Sequence, residues 1–175
     1  MADDPFVVLG LERRFDVSPA QVSAAHLRTV SRLHPDRAQD PVERARLTQL
    51  AAQAGAAKQV LSDELSRAEV LLEHLGARSF LQAPPPPQFL METMEVREAI
   101  EEAVAVGDAG RLAALRDAVG TLAADARASL STALSHGDGP AGAAAWVRLR
   151  YTARMRDRLQ DATGTSGGPG YTSRS

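Results

Sequence analysis

Apolar residues recur along this chain at intervals of three and four, and the helices this spacing predicts open on their own start signals. Asp4-Pro5 offers an N-cap followed by proline at the first helical position, opening a short apolar helix (Phe6, Val7, Val8, Leu9) that Gly10 ends. Ser18-Pro19-Ala20-Gln21 is a capping box, after which Val22, His26, Val30 and Leu33 share a face. That helix stops near Leu33, because the residue before Pro35 is pushed out of the α region. Asp40-Pro41-Val42-Glu43 repeats the start signal for a long helix with Leu47, Leu50, Ala54, Ala57 and Leu61 in line. A further helical stretch runs from about Glu64 to Leu75 and closes at Gly76.

Residues 79–87 end in "PPPP", a stiff segment poor in backbone donors, and read as a linker between two domains. Beyond it the pattern predicts helices at about 88–106, 109–135 and 141–161, broken by Gly107-Asp108 and by "HGDGP". Such short connections make three antiparallel neighbours. The first of them is acidic and the third carries Arg148, Arg150, Arg154, Arg156 and Arg158, so opposite charge favours their adjacency. The expected organisation is a domain over 1–78, a linker over 79–87, a three-helix bundle over 88–162 and a disordered Gly/Ser-rich tail over 163–175.

Composition narrows the function more than the fold. With 44% hydrophobic residues weighted toward alanine and only 4% aromatic, the 175-residue chain reads as all-α. A net charge of -2 gives no sign of a nucleic-acid binder. The absence of cysteine excludes disulfides, thiolate metal sites and thiol catalysis. The four histidines, His26, His34, His74 and His136, have no metal-ligand spacing, and no cofactor or metal is expected. The acidic opening and the lack of any long apolar run predict a soluble cytoplasmic protein without a membrane segment.

Two stretches stand out chemically. His34-Pro35-Asp36 could be an acid–base pair, but proline keeps the two side chains from having to converge and no nucleophile lies nearby. It reads either as a helix-stop turn or as a docking loop, the latter because Arg28 and Arg32, four apart, lead to it along one helix face and Arg37 follows. The second stretch is "FLMETMEVREAIEEA", residues 89–103. At 100° per residue Phe89, Thr93, Val96, Ile100 and Ala103 form one stripe, enough to pack a bundle. Leu90, Met91 and Met94 fall elsewhere, ringed by Glu95, Arg97, Glu98 and Glu101. This surplus patch is either covered by the linker or first domain, or left for a partner.

Residues 4–76 resemble a J-domain through "DPFVVLGL", "RTVSRLHPDR" and "AAKQVLSDELSRAEVLL". The resemblance implies that His34, Pro35 and Asp36, with Arg28, Arg32 and Arg37, dock on a DnaK/HscA-type ATPase chaperone and stimulate its ATP hydrolysis. His26 stands where that family usually keeps a large aromatic, and the small Thr29 and Val70 depart as well, which bears on packing. Residues 4 to about 160, with "FLMExxExRE" after the J-domain, resemble the HscB family of J-type co-chaperones in iron–sulfur cluster assembly. That likeness implies no enzyme activity, and contacts to an IscU-type scaffold protein from Leu90, Met91, Met94, Glu95, Arg97, Glu98 and Tyr151. The N-terminal cysteine-rich segment of some eukaryotic members has no counterpart here, which agrees with the absence of cysteine and with a bacterial origin. The alternatives are a J-type co-chaperone with another client and a helical adaptor in which the tripeptide is coincidental.

Overall fold

Each of the three proline-led start signals is a made hydrogen bond in the computed structural model, which describes residues 4–34 and 38–162. Asp4 accepts from Phe6 N at 2.9 Å. Ser18 and Gln21 cap each other reciprocally, at 3.2 and 2.8 Å. Asp40 accepts from Glu43 N at 2.8 Å. These caps start α1 (Pro5–Leu9), α2 (Pro19–Arg32) and α3 (Pro41–Ser62). Then follow α4 (Glu64–His74), a 3-10 turn (Arg78–Gln82), α5 (Pro87–Val106), α6 (Ala109–Ser135) and α7 (Gly139–Ala162). Among the described residues the architecture is all-helical, without strands.

The chain divides into two compact units, Met1–Gln82 with Ser129–Trp146, and Ala83–Ala128 with Val147–Ser175. In the first, α3 packs against α1, α2 and α4, burying Phe6, Val22, Ala54, Leu61, Ala68 and Leu72 completely. The start of α7 joins this unit through two glycines. A Cβ on Gly139 would lie 2.8 Å from the Cβ of Ala77, and one on Gly142 would lie 2.9 Å from Leu72 Cδ2. A larger residue at either position would force Ala77 or Leu72 to shift. Trp146 then donates its Nε1 hydrogen to Leu65 O at 3.0 Å.

In the second unit α5 meets the first part of α6 and the remainder of α7 around Ile100, Ala103, Leu112, Val119, Met155 and Leu159. Gly107, at φ 69°, caps α5 in the left-handed region, and Asp108 accepts from Arg111 N at 2.9 Å to start α6. The compact units group the helices differently from the expected domains, and the expected linker is partly helical. Residues 129–146 group with the N-terminal unit, although the sequence pattern assigned the whole of 88–162 to one bundle. The expected linker begins not as an extended spacer but as the 3-10 turn, because Leu81 is buried and holds it folded. The expected disordered tail, 163–175, lies outside the described residues.

Asp4 does more than cap α1. Its second oxygen meets Arg13 Nε at 2.6 Å and His74 Nε2 at 3.2 Å, while His74 Nδ1 lies 2.8 Å from Val70 O, so one carboxylate ties the chain's start to the end of α4. Burial pushes the Asp4 carboxyl up, but the bonds from Arg13 and the Phe6 amide, with the charges of Arg13 and His74, outweigh it and hold the group below its ordinary 3.8. A depressed folded-state value stabilises fully above 3.8, and that contribution is lost as pH falls from there through the folded value. Asp4→Asn keeps an N-cap and removes the charge. The gap in unfolding free energy between wild type and variant should therefore be open above 3.8 and close as added acid takes the pH below it. Denaturant titrations across the acid range measure it, and a gap that stays open in acid would contradict the ion-pair account.

Candidate functional site

Two surfaces carry the residues singled out in the sequence. On the first, Arg28 and Arg32 are exposed on the second half of α2, and His34 is exposed just beyond Leu33, which caps it. The side chain of Ser31, between the arginines, donates to Leu27 O at 2.8 Å. Pro35, Asp36 and Arg37 lie outside the described residues. Leu27 also belongs to this exposed face at 65% accessibility, and sequence reasoning omitted it. The available signal was its position off the Val22–His26–Val30 stripe, an apolar residue beside an arginine.

The second surface is built by α5 and α7. Ile100 and Ala103 are buried and Phe89, Thr93 and Val96 half-buried, so α5 spends the expected stripe on its own bundle. Met91 and Met94 remain 63% and 54% exposed, with Leu90 half-buried beside them. The Phe89 ring meets the half-buried Tyr151 ring edge to face, centroids 5.6 Å apart at 80°. Tyr151 thereby joins the end of α5 that carries the methionines.

Charge is distributed unevenly over this surface. Arg97 pairs with Glu101 one turn along at 3.4 Å, and Arg158 of α7 reaches the same carboxylate at 3.3 Å. Glu102 pairs with Arg111 at 2.9 Å. Glu95 and Glu98 are exposed. Arg158 thus supplies an ion pair between the acidic α5 and the basic α7. Arg148 and Arg154 instead lie over aromatic rings, Phe89 and Tyr151 respectively, each 5.7 Å from its ring centroid. Among the described residues no cluster of three or more His, Asp or Glu could hold a metal ion, and no helix is long and apolar enough to cross a membrane.

Among the described residues the chain is thus all-helical, with an exposed thioether patch on one unit and an arginine-lined helix on the other. Residues 85–160 match the family model described as the HSCB C-terminal oligomerisation domain. Curated relatives include the co-chaperone protein HscB homolog of Azoarcus sp. BH72, 35% identical over 93% of this chain and 94% of that protein. That of Ralstonia nicotianae is 37% identical over 91% of this chain and 98% of its own length. The solved chaperone HscB from Vibrio cholerae superposes with a TM-score of 0.77 at 28% identity, covering 93% of this chain and 98% of that one. Human co-chaperone protein HscB, at 20% identity and a TM-score of 0.77, shares the fold. The chain belongs to the HscB co-chaperone family.

Proposed function

We propose that this protein is a non-enzymatic J-type co-chaperone of iron–sulfur cluster assembly, acting in the bacterial cytoplasm. It binds an IscU-type scaffold protein on the α5–α7 surface, delivers it to a DnaK/HscA-type ATPase chaperone and stimulates ATP hydrolysis there through His34, Pro35 and Asp36 with Arg28, Arg32 and Arg37. The observation that carries this reading is the exposure of Met91 and Met94 on a helix whose other face already supplies the core residues Ile100 and Ala103. An exposed thioether pair is adaptable apolar area with no use to the fold of its own unit. Leu90 and Tyr151 extend it, while Glu95, Arg97 and Glu98 form its rim.

Single-turnover ATPase assays with purified chaperone, run with this protein, with scaffold and with both, test the whole reading. Synergy between the two is the expected result. ATPase stimulation without scaffold binding would instead mark a J-type co-chaperone with another client.

Truncation separates the patch from the core. Met91→Ala or Met94→Ala should each weaken scaffold binding by about 1–3 kcal/mol, as expected of central interface residues. Being exposed, both should leave the melting temperature nearly unchanged. Ile100→Ala should do the reverse, lowering stability by about 2–5 kcal/mol through a cavity in the bundle. Calorimetric titration beside thermal melts makes the comparison. Methionine variants that lose stability but keep full affinity would place those side chains in the core and remove the binding site.

A further inference from the structure

Arg148 and Arg154 lie over aromatic rings on the exposed α5–α7 face. Three arginines of the same unit are committed to carboxylates, Arg97 and Arg158 to Glu101 and Arg111 to Glu102. Arg148 and Arg154 are exposed and join no ion pair or hydrogen bond among the described residues. Each lies instead over an aromatic ring, Arg148 over Phe89 and Arg154 over Tyr151, the two rings that pack edge to face. A guanidinium lying over a ring face keeps its in-plane N–H fork for an acceptor, and a carboxylate is the acceptor that fits it.

Resting on scaffold binding at this face, we propose that Arg148 and Arg154 are a cationic clamp that receives carboxylates from an acidic segment of the docked scaffold. The clamp commits the orientation of the complex. On the α5 side Glu95 and Glu98 are exposed, so the surface is negative along α5 and positive along α7. A partner that buries Met91 and Met94 therefore presents acidic groups toward α7, and the reverse pose sets like charges against each other on both sides. The arginines thus select register, while the methionines and Leu90 supply apolar area.

Calorimetric titration of purified scaffold into the wild type, Arg148→Glu, Arg154→Glu and the double reversal, at low and at physiological salt, tests the clamp. Wild-type affinity should fall as salt rises. Each reversal should weaken low-salt binding by about tenfold or more, and the double reversal should reverse the salt dependence, because repulsion is then what salt screens. Arg148→Lys and Arg154→Lys, which keep the charge but lose the planar fork, should fall between, and serve equally where a reversal fails to fold. If wild type binds scaffold and Met91→Ala weakens it, yet reversals and lysine variants all bind as wild type, the clamp is wrong and the docking surface stands. If wild type binds no scaffold, the docking surface itself falls and the clamp with it.

Discussion

Replacing Arg67 by alanine is expected to lower the unfolding free energy by about 2–4 kcal/mol, the loss of buried, charge-assisted hydrogen bonds. Arg67 is only 8% exposed. Its Nε donates to Phe15 O at 2.9 Å, its Nη1 donates to Leu61 O, and its Cζ lies 5.3 Å from the Phe15 ring centroid. Leu61 is in the last turn of α3, where carbonyls have no amide four residues ahead within the helix. Phe15 lies in the connector between α1 and α2, which makes few backbone bonds of its own. One guanidinium therefore secures a helix end and a loop together. Arg67→Lys keeps the charge but cannot serve both carbonyls from a single nitrogen with the same geometry, so it should recover part of the loss. Urea unfolding followed by circular dichroism reads both variants. A loss below about 1 kcal/mol for alanine would mean that water replaces the guanidinium at both carbonyls.

Arg67 also shows where the sequence stops being legible. The caps at Asp4, Ser18 and Asp40 could be read directly because donor and acceptor lie two or three residues apart. The partners of Arg67 at Phe15 and of Trp146 at Leu65 lie 52 and 81 residues away, and no local period records them. The boundary between units was obscured for a related reason. "PPPP" marks a break in the chain, but α6 and α7 continue without interruption where their packing partners change. Their lengths held a clue: α5 has 20 residues, against 27 in α6 and 24 in α7, so α5 alone cannot cover both helices to their ends. On the α5–α7 surface, helical spacing separated Met91 and Met94 from the stripe of Ile100. It could not show that Arg148 and Arg154 would settle on aromatic rings, since net charge alone pairs every arginine of α7 with the acidic helix.

The largest functional effect is expected at the other unit, from His34→Gln. This substitution should reduce stimulation of the chaperone ATPase to the chaperone's own basal rate while leaving folding and scaffold affinity intact. His34 is exposed, immediately after the residue that caps α2, so glutamine can replace it with little change in packing, within about 0.5 kcal/mol of stability. Scaffold contacts are assigned to α5 and α7, which lie far along the chain, so scaffold titrations of the variant should match wild type. Arg28 and Arg32 act differently in this scheme. They are exposed charges on the helix leading to His34, so charge reversal at either should weaken coupling most at low salt and progressively less as salt screens the contact. Loss at His34 should persist at all salt concentrations, because it removes a specific contact and not a long-range attraction. Single-turnover hydrolysis measured against salt for His34→Gln, Arg28→Glu and Arg32→Glu distinguishes the two modes. Full stimulation by His34→Gln would leave the end of α2 without a docking role, and a salt-independent defect in the arginine variants would replace electrostatic steering with direct contact at those two positions.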